Sequence, residues 1–163
     1  MDELITIHKG LVFTFIYRMI NDYEMSHDLT QDTFIRVFMN IKKVKGEQHF
    51  RPWILTIARN IARDYLRKIK RQPTVSLEEI REPMGQSGLV STRRSVIIQQ
   101  ALNRLAEQDR MLITLSYFKE LSLREVAQVL EISEKNIKVS LFRARRRLRK
   151  ELIKYEHELL SSY

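Results

Sequence analysis

Apolar residues recur at spacings of three and four along most of this chain, and no segment alternates convincingly at period two. That periodicity is the signature of amphipathic helices and speaks against strands. Leu4, Ile7, Leu11, Phe15 and Met19 outline a first helix. Ser26, His27 and Asp28 supply start signals for a second, with Leu29, Phe34, Val37, Phe38 and Ile41 as its apolar face. Gly46 breaks the chain, and Pro52 suits the first turn of a third helix running through Trp53, Ile54, Ile57, Ile61, Tyr65 and Ile69. Further on, Val96–Leu105 reads as a helix, Asp109 as the cap of another over Arg110–Phe118, Ser122 as the cap of Leu123–Leu130, and Ser133 as the start of a last helix reaching Leu160. Only the stretch 72–92 departs from this pattern, with two of the 3 prolines and two of the 4 glycines in the 163-residue chain. It reads as a linker, with at most one helical turn at Leu77–Ile80. The expected fold is therefore all-α: two small helical domains, 1–71 and 93–163, joined by a flexible linker at 72–92.

Charge divides the chain differently. The total is +9, yet residues 49–71 alone carry 7 bases and 1 acid, and residues 137–150 carry 7 bases and no acid. Two short segments, far apart in sequence, hold more than the whole excess. Segregation of this kind suits two separate contacts with a polyanion.

The second basic segment sits in Leu121–Leu148, where a short helix, a turn at Glu131, Ile132 and Ser133, and a second helix follow one another. Ala127 is small where two helices must cross, Ile132 is apolar within the turn, and Ile137, Leu141, Ala144 and Leu148 face inward. This is the helix-turn-helix pattern. The second helix carries Lys138, Arg143, Arg145, Arg146, Arg147, Arg149 and Lys150 off its apolar stripe. Such a helix fits the DNA major groove, its first half reaching base edges and its later cations meeting phosphates.

In the first basic segment His49, Phe50, Trp53 and Tyr65 are interleaved with Arg51, Arg59, Arg63 and Arg67, and Asn60 lies mid-helix. Aromatic faces beside cations suit unstacked bases, while the cations hold the strand. Asn60 offers both a donor and an acceptor to a base edge. Taken alone, the aromatics fit a helical core better than base platforms, Trp53 above all. Asp28, Gln31, Asp32 and Arg36 share one helical stripe, which physics alone reads as an acidic first turn favourable to the helix dipole.

Together, DLTQDTFIRVF, FRPWILTIARNIARDYLRK and ALNRLAEQDRMLITLSYFKELSLREVAQVLEISEKNIKVSLFRARRRLRKEL resemble bacterial RNA polymerase sigma factors of the extracytoplasmic-function group, over about Val12 to Leu152. The resemblance implies that Asp28, Gln31, Asp32 and Arg36 bind the clamp coiled coil of the largest subunit of core RNA polymerase. It implies that the segment His49–Arg71 melts the promoter −10 element and captures a flipped base, with His49, Phe50 and Asn60 near that base and Arg59, Arg63 and Arg67 on the strand. It implies further that the helix-turn-helix reads the −35 element through Lys135, Asn136, Lys138, Val139 and Arg143, with Arg145, Arg146 and Arg147 serving phosphates or the polymerase flap. The linker would thread toward the RNA exit path, and an anti-sigma protein, in this group often membrane-anchored, would hold the factor inactive. Two features depart from the family: Leu130, Glu131 and Ile132 stand where the turn often has a Gly, and the opening of the recognition helix differs, which leaves the −35 sequence open. The loop Lys45–Phe50 is short and leaves the −10 base identity open as well.

Other classes fit less of the chain. A helix-turn-helix repressor or activator accounts for 137–150 but leaves the 49–71 segment and the acidic stripe idle. An RNA-binding protein would use only the aromatic-basic segment. With 0 Cys, scattered His8, His27, His49 and His157, and no phosphate-binding glycine loop, neither an enzyme nor a metal or cofactor site is expected. No run approaches the ~18 apolar residues of a membrane span, and MDELITIHKG has acids where a secretory leader needs bases. The expected location is the cytoplasm, without direct membrane insertion.

Overall fold

The computed structural model describes residues 2–44, 46, 49–72, 93–118 and 120–160. Among them are seven α-helices and one 3₁₀ turn: α1 Asp2–Ile20, α2 Tyr23–Asn40, the turn Ile41–Lys43, α3 Phe50–Arg71, α4 Arg93–Asn103, α5 Glu107–Ser116, α6 Leu123–Leu130 and α7 Glu134–Leu160. The described residues contain no strand. Apart from Gln72, the linker expected at 72–92 lies outside them, as does Lys45 of the −10 loop.

A two-residue corner joins α1 to α2. Asn21 takes a left-handed backbone, φ 54°, and its N–H closes the end of α1 onto the Tyr17 carbonyl at 2.8 Å. Asn tolerates this conformation better than most residues. Asp22 then caps α2, its side chain accepting from the Met25 N–H at 2.9 Å. The second helix thus begins three residues before Ser26, which is fully buried and is no cap.

The buried face of α2 comprises Ser26, Leu29, Thr30, Thr33, Phe34 and Val37, half of it hydroxyl residues. Each Thr donates to the carbonyl four residues back, Thr30 to Ser26 at 2.6 Å and Thr33 to Leu29 at 2.7 Å. With their polar atoms satisfied, these short side chains enter the core and let α2 approach its neighbours closely. Phe38, assigned to this face by periodicity, is 63% exposed instead.

On α1 the core stripe is His8, Val12, Phe15, Ile16, Met19 and Ile20, while Ile7 points to solvent. Helix α3 contributes Phe50, Pro52, Ile54, Leu55, Ala58, Ile61, Ala62 and Leu66. In the second half, α4 to α7 close around Ile97, Leu102, Met111, Leu112, Leu115, Val126, Val129, Ile137, Leu141 and Leu148. α5 begins at Glu107, with Ala106 at its cap position. Asp109 therefore sits within the first turn and does not open the helix.

The two halves do not stand apart. α3 packs on α6, and α1 packs on α4 and α5. Polar contacts line this seam. Arg18 donates to Gln99 Oε1 at 2.9 Å while Gln99 Nε2 donates to the Arg18 carbonyl at 3.1 Å. Arg110 NH1 donates to the Met19 carbonyl at 2.7 Å, and Arg51 NH1 to the Glu120 carbonyl at 2.8 Å.

Candidate nucleic-acid and protein interfaces

In the C-terminal half, α6 and α7 form the expected helix-turn-helix. Ser122 and Glu125 make a reciprocal capping box: Ser122 N–H to Glu125 Oε2 at 2.7 Å, and Glu125 N–H to Ser122 Oγ at 3.2 Å. At the far end Glu131 adopts φ 57°, ψ 37°. The Ile132 N–H returns to the Ala127 carbonyl at 3.0 Å and the Glu131 N–H to the Gln128 carbonyl at 3.3 Å. This paired closure is the Schellman motif, whose left-handed position usually belongs to Gly. Ala127 and Ala144 are buried, so the helices cross closely.

α7 buries Ile137, Leu141, Ala144 and Leu148. Its other positions leave Lys135, Asn136, Lys138, Val139, Arg143, Arg145, Arg146, Arg149 and Lys150 in solvent. Arg147 is exposed as well, but it is paired with Asp109 at 2.6 Å, tying α7 to α5. Phe142, at 67% exposed, stands among the cations one turn beyond Val139. Its signal in the sequence is an aromatic residue off the apolar stripe of a basic helix, which polar and basic patterning alone does not pick out.

α3 presents a different picture. His49 stands at the N-cap position without a side-chain capping hydrogen bond and is exposed. Phe50 is 6% exposed, its ring 5.0 Å from His8 and 5.9 Å from Trp53, and it is a core residue in this arrangement. Arg59 is 3% exposed. Its NH1 donates to the Val129 carbonyl, its NH2 lies 3.3 Å from Glu131 Oε2, and its Nε and NH2 donate to Asn60 Oδ1 at 3.1 and 2.9 Å. Arg63 is half-buried and pairs with Glu107 at 3.2 Å. Of the residues expected on the −10 strand, His49, Asn60 and Arg67 face solvent, while Arg59 and Arg63 face the other half of the molecule.

On α2, Asp28, Gln31, Asp32 and Arg36 form one exposed stripe. Beside it lie Ile35, Phe38 and Met39, 57%, 63% and 77% exposed. Apolar residues flanked by charge in this way mark a contact surface. Periodicity hid Phe38 by lending it to the core.

Among the described residues no cluster of His, Cys, Asp or Glu is arranged to hold a metal ion. No helix among them is long and apolar enough to cross a membrane.

With these surfaces in view, the chain matches two protein families: Sigma-70 region 2 over residues 4–72, and Sigma-70, region 4 over residues 95–148. It is 33% identical to the ECF RNA polymerase sigma factor SigM of Bacillus subtilis, over 91% of this chain and 93% of that protein. It is 30% identical to the ECF sigma factor SigW of the same organism, over 92% of this chain and 87% of that one. Its fold is similar to the sigma factor RpoE of Bartonella quintana, solved with the anti-sigma factor NepR, with a TM-score of 0.78 at 21% identity over 95% of this chain and 97% of the other. CnrH, solved with the cytosolic domain of CnrY, follows with a TM-score of 0.65 at 22% identity, over 95% of this chain and 88% of that one.

Proposed function

The chain belongs to the sigma-70 family of bacterial RNA polymerase sigma factors, in the extracytoplasmic-function group, and from that we propose how its surfaces divide the work. It is an alternative sigma factor: it joins core RNA polymerase, directs initiation at particular promoters, and is controlled by an anti-sigma factor. Its place of action is the cytoplasm, and it contributes recognition while the polymerase supplies the chemistry, so it is not itself an enzyme.

The exposed stripe Asp28, Gln31, Asp32 and Arg36, with Ile35, Phe38 and Met39 beside it, docks on the clamp coiled coil of the largest subunit. Acids set against a basic partner give register and rate, and the apolar flank gives desolvated contact area. α3 takes the −10 element: Asn60 and His49 meet the unstacked base, and Arg59, Arg63 and Arg67 follow the strand. α7 takes the −35 duplex. Lys135, Asn136, Lys138, Val139 and Arg143 enter the groove, while Arg145, Arg146 and Arg147 meet phosphates or the flap. Residues 1–71 and 93–163 are the two working domains and 72–92 joins them.

The observation that carries this reading is order: a region 2 match and a region 4 match follow one another across one chain, the first containing the basic segment 49–71 and the second covering residues 137–148 of the other. Co-elution of the protein with core polymerase, followed by mapping of transcript 5′ ends made in vitro, tests it. Starts that share a pair of upstream elements establish it and give the promoter. No co-elution would leave a stand-alone helix-turn-helix regulator.

A further inference from the structure

We propose that Val139, walled by Phe142, reads the 5-methyl group of a thymine in the −35 duplex, so that promoters of this factor carry a thymine where the third turn of α7 crosses the groove. The placing of α7 on that duplex rests on the reading above. What is added is the chemistry of one contact and the base it selects.

Val139 and Phe142 are the exposed large apolar residues in the first three turns of α7, 50% and 67% exposed. Helical spacing puts Val139 opposite the buried stripe of Ile137, Leu141 and Ala144, with Phe142 three residues on and beside it. Single exposed apolar residues are common on any protein surface. These two adjoin each other, and the charges around them name the partner. Lys135, Lys138, Arg143, Arg145 and Arg146 are all exposed about the pair, and residues 137–150 hold no acid. Whatever covers the pair must also meet that cation field, and a duplex brings the phosphates to do so.

Within the major groove every base pair presents hydrogen-bonding groups, and the one apolar group among them is the thymine 5-methyl. The valine side chain has neither donor nor acceptor, so it cannot choose among the polar edges. It can choose thymine, by taking that methyl out of water against its own. Helix geometry limits how far the contact extends. Side chains three apart on a helix have Cβ atoms about 5–6 Å apart, against a rise of about 3.4 Å per base pair. The pair thus covers at most two successive base pairs, and the thymine lies within that step.

The test uses holoenzyme rebuilt from the full chain and core polymerase, on the promoter recovered by mapping transcript 5′ ends. Each −35 thymine is replaced in turn by deoxyuridine, which removes the methyl and keeps both the O4 acceptor and the pairing. Affinity for each duplex is read for wild type, Val139→Ala, Phe142→Ala and Arg145→Ala. One deoxyuridine position should weaken wild type roughly fourfold, the worth of one buried methyl group. In Val139→Ala the unmodified promoter should bind more weakly by about the same factor, and the deoxyuridine penalty should vanish, because side chain and methyl make one contact. Phe142→Ala should shrink the penalty. Arg145→Ala should weaken every duplex alike and keep the penalty whole. The substituted residues are exposed, so helical content by circular dichroism should not change. No penalty at any −35 thymine would overturn the proposal, and so would an equal penalty in wild type and Val139→Ala. Loss of holoenzyme assembly in Val139→Ala would hand the pair to the polymerase and overturn it as well. The sigma-factor reading fails differently: wild type would start no transcripts on any template, and the proposal would fall with it.

Discussion

Arg110 closes two helices at once. It is 6% exposed, and its guanidinium donates to the Met19 carbonyl in the last turn of α1 at 2.7 Å, to the carbonyl of Asn103, the last residue of α4, at 3.0 Å, and to that of Leu105 in the turn beyond at 3.3 Å. The Met19 and Asn103 carbonyls belong to the groups a helix leaves unpaired at its C-terminus, where a positive charge is also favoured by the dipole. Arg110→Met keeps the length and apolar stem but removes every donor. Buried carbonyls would be stranded, at a cost of roughly 2–4 kcal/mol, read as a lower urea midpoint at an unchanged m value. A midpoint unmoved would mean that water reaches those carbonyls. None of this was legible in the chain. Sequence periodicity made Arg110 the first residue of a helix capped by Asp109, whereas α5 begins at Glu107 and Asp109 spends its charge on Arg147. A local pattern names a cap candidate; which partner claims the carboxylate depends on a helix 38 residues away.

At the scale of elements, the helix-turn-helix was readable almost to the residue. Its signals are local: Ser122 and Glu125 three apart, an apolar stripe at helical spacing, and seven cations with no acid over residues 137–150. Ser122→Ala removes one half of the capping box and should cost about 1 kcal/mol. Thermal unfolding followed by circular dichroism would register it, and an unshifted transition would show that Glu125 alone closes the helix start. α2 was misread where its core is polar. Ser26 looked like a cap because hydroxyls usually sit at helix ends, yet its side chain, like those of Thr30 and Thr33, donates to a carbonyl one turn back inside the helix. Freed from the core, Phe38 joins the exposed stripe, which makes a prediction there sharper. Asp32→Arg should weaken polymerase binding roughly tenfold or more, since like charges set against each other at an interface cost several kcal/mol. Because Asp32 is exposed, helical content should be untouched. Normal holoenzyme assembly on a size-exclusion column would return the acidic stripe to a helix-dipole feature.

The largest difference between sequence and structure lies at the scale of the molecule. Each half could be read on its own, because helical stripes and caps act within a few residues. The seam could not, because its contacts join Arg18 to Gln99, Arg59 to Val129 and Arg110 to Met19, pairs separated by 81, 70 and 91 residues with no periodic signature. His8 sits at one edge of that seam, buried against the Phe50 ring at 5.0 Å, with Arg51 and Glu120 as its charged neighbours. Burial first, and then the Arg51 charge, lower its pKa from the ordinary 6.5, with Glu120 opposing them. His8 is therefore neutral in the folded chain at neutral pH and takes up a proton more readily when unfolded. The stability tied to this difference is complete above pH 6.5 and is lost as pH falls from there toward the lower folded value. Below that value the loss stops growing. Because Arg51 also donates to the Glu120 carbonyl, a proton on His8 sets a second positive charge beside a contact that joins the halves. Unfolding free energy from urea titrations should therefore fall in wild type as pH drops below 6.5, ahead of the ordinary carboxylates near pH 4. His8→Leu should flatten the profile in that window while leaving the carboxylate region unchanged. Equal slopes in the two proteins would show that His8 is already hydrated and that the seam has no histidine in its proton balance.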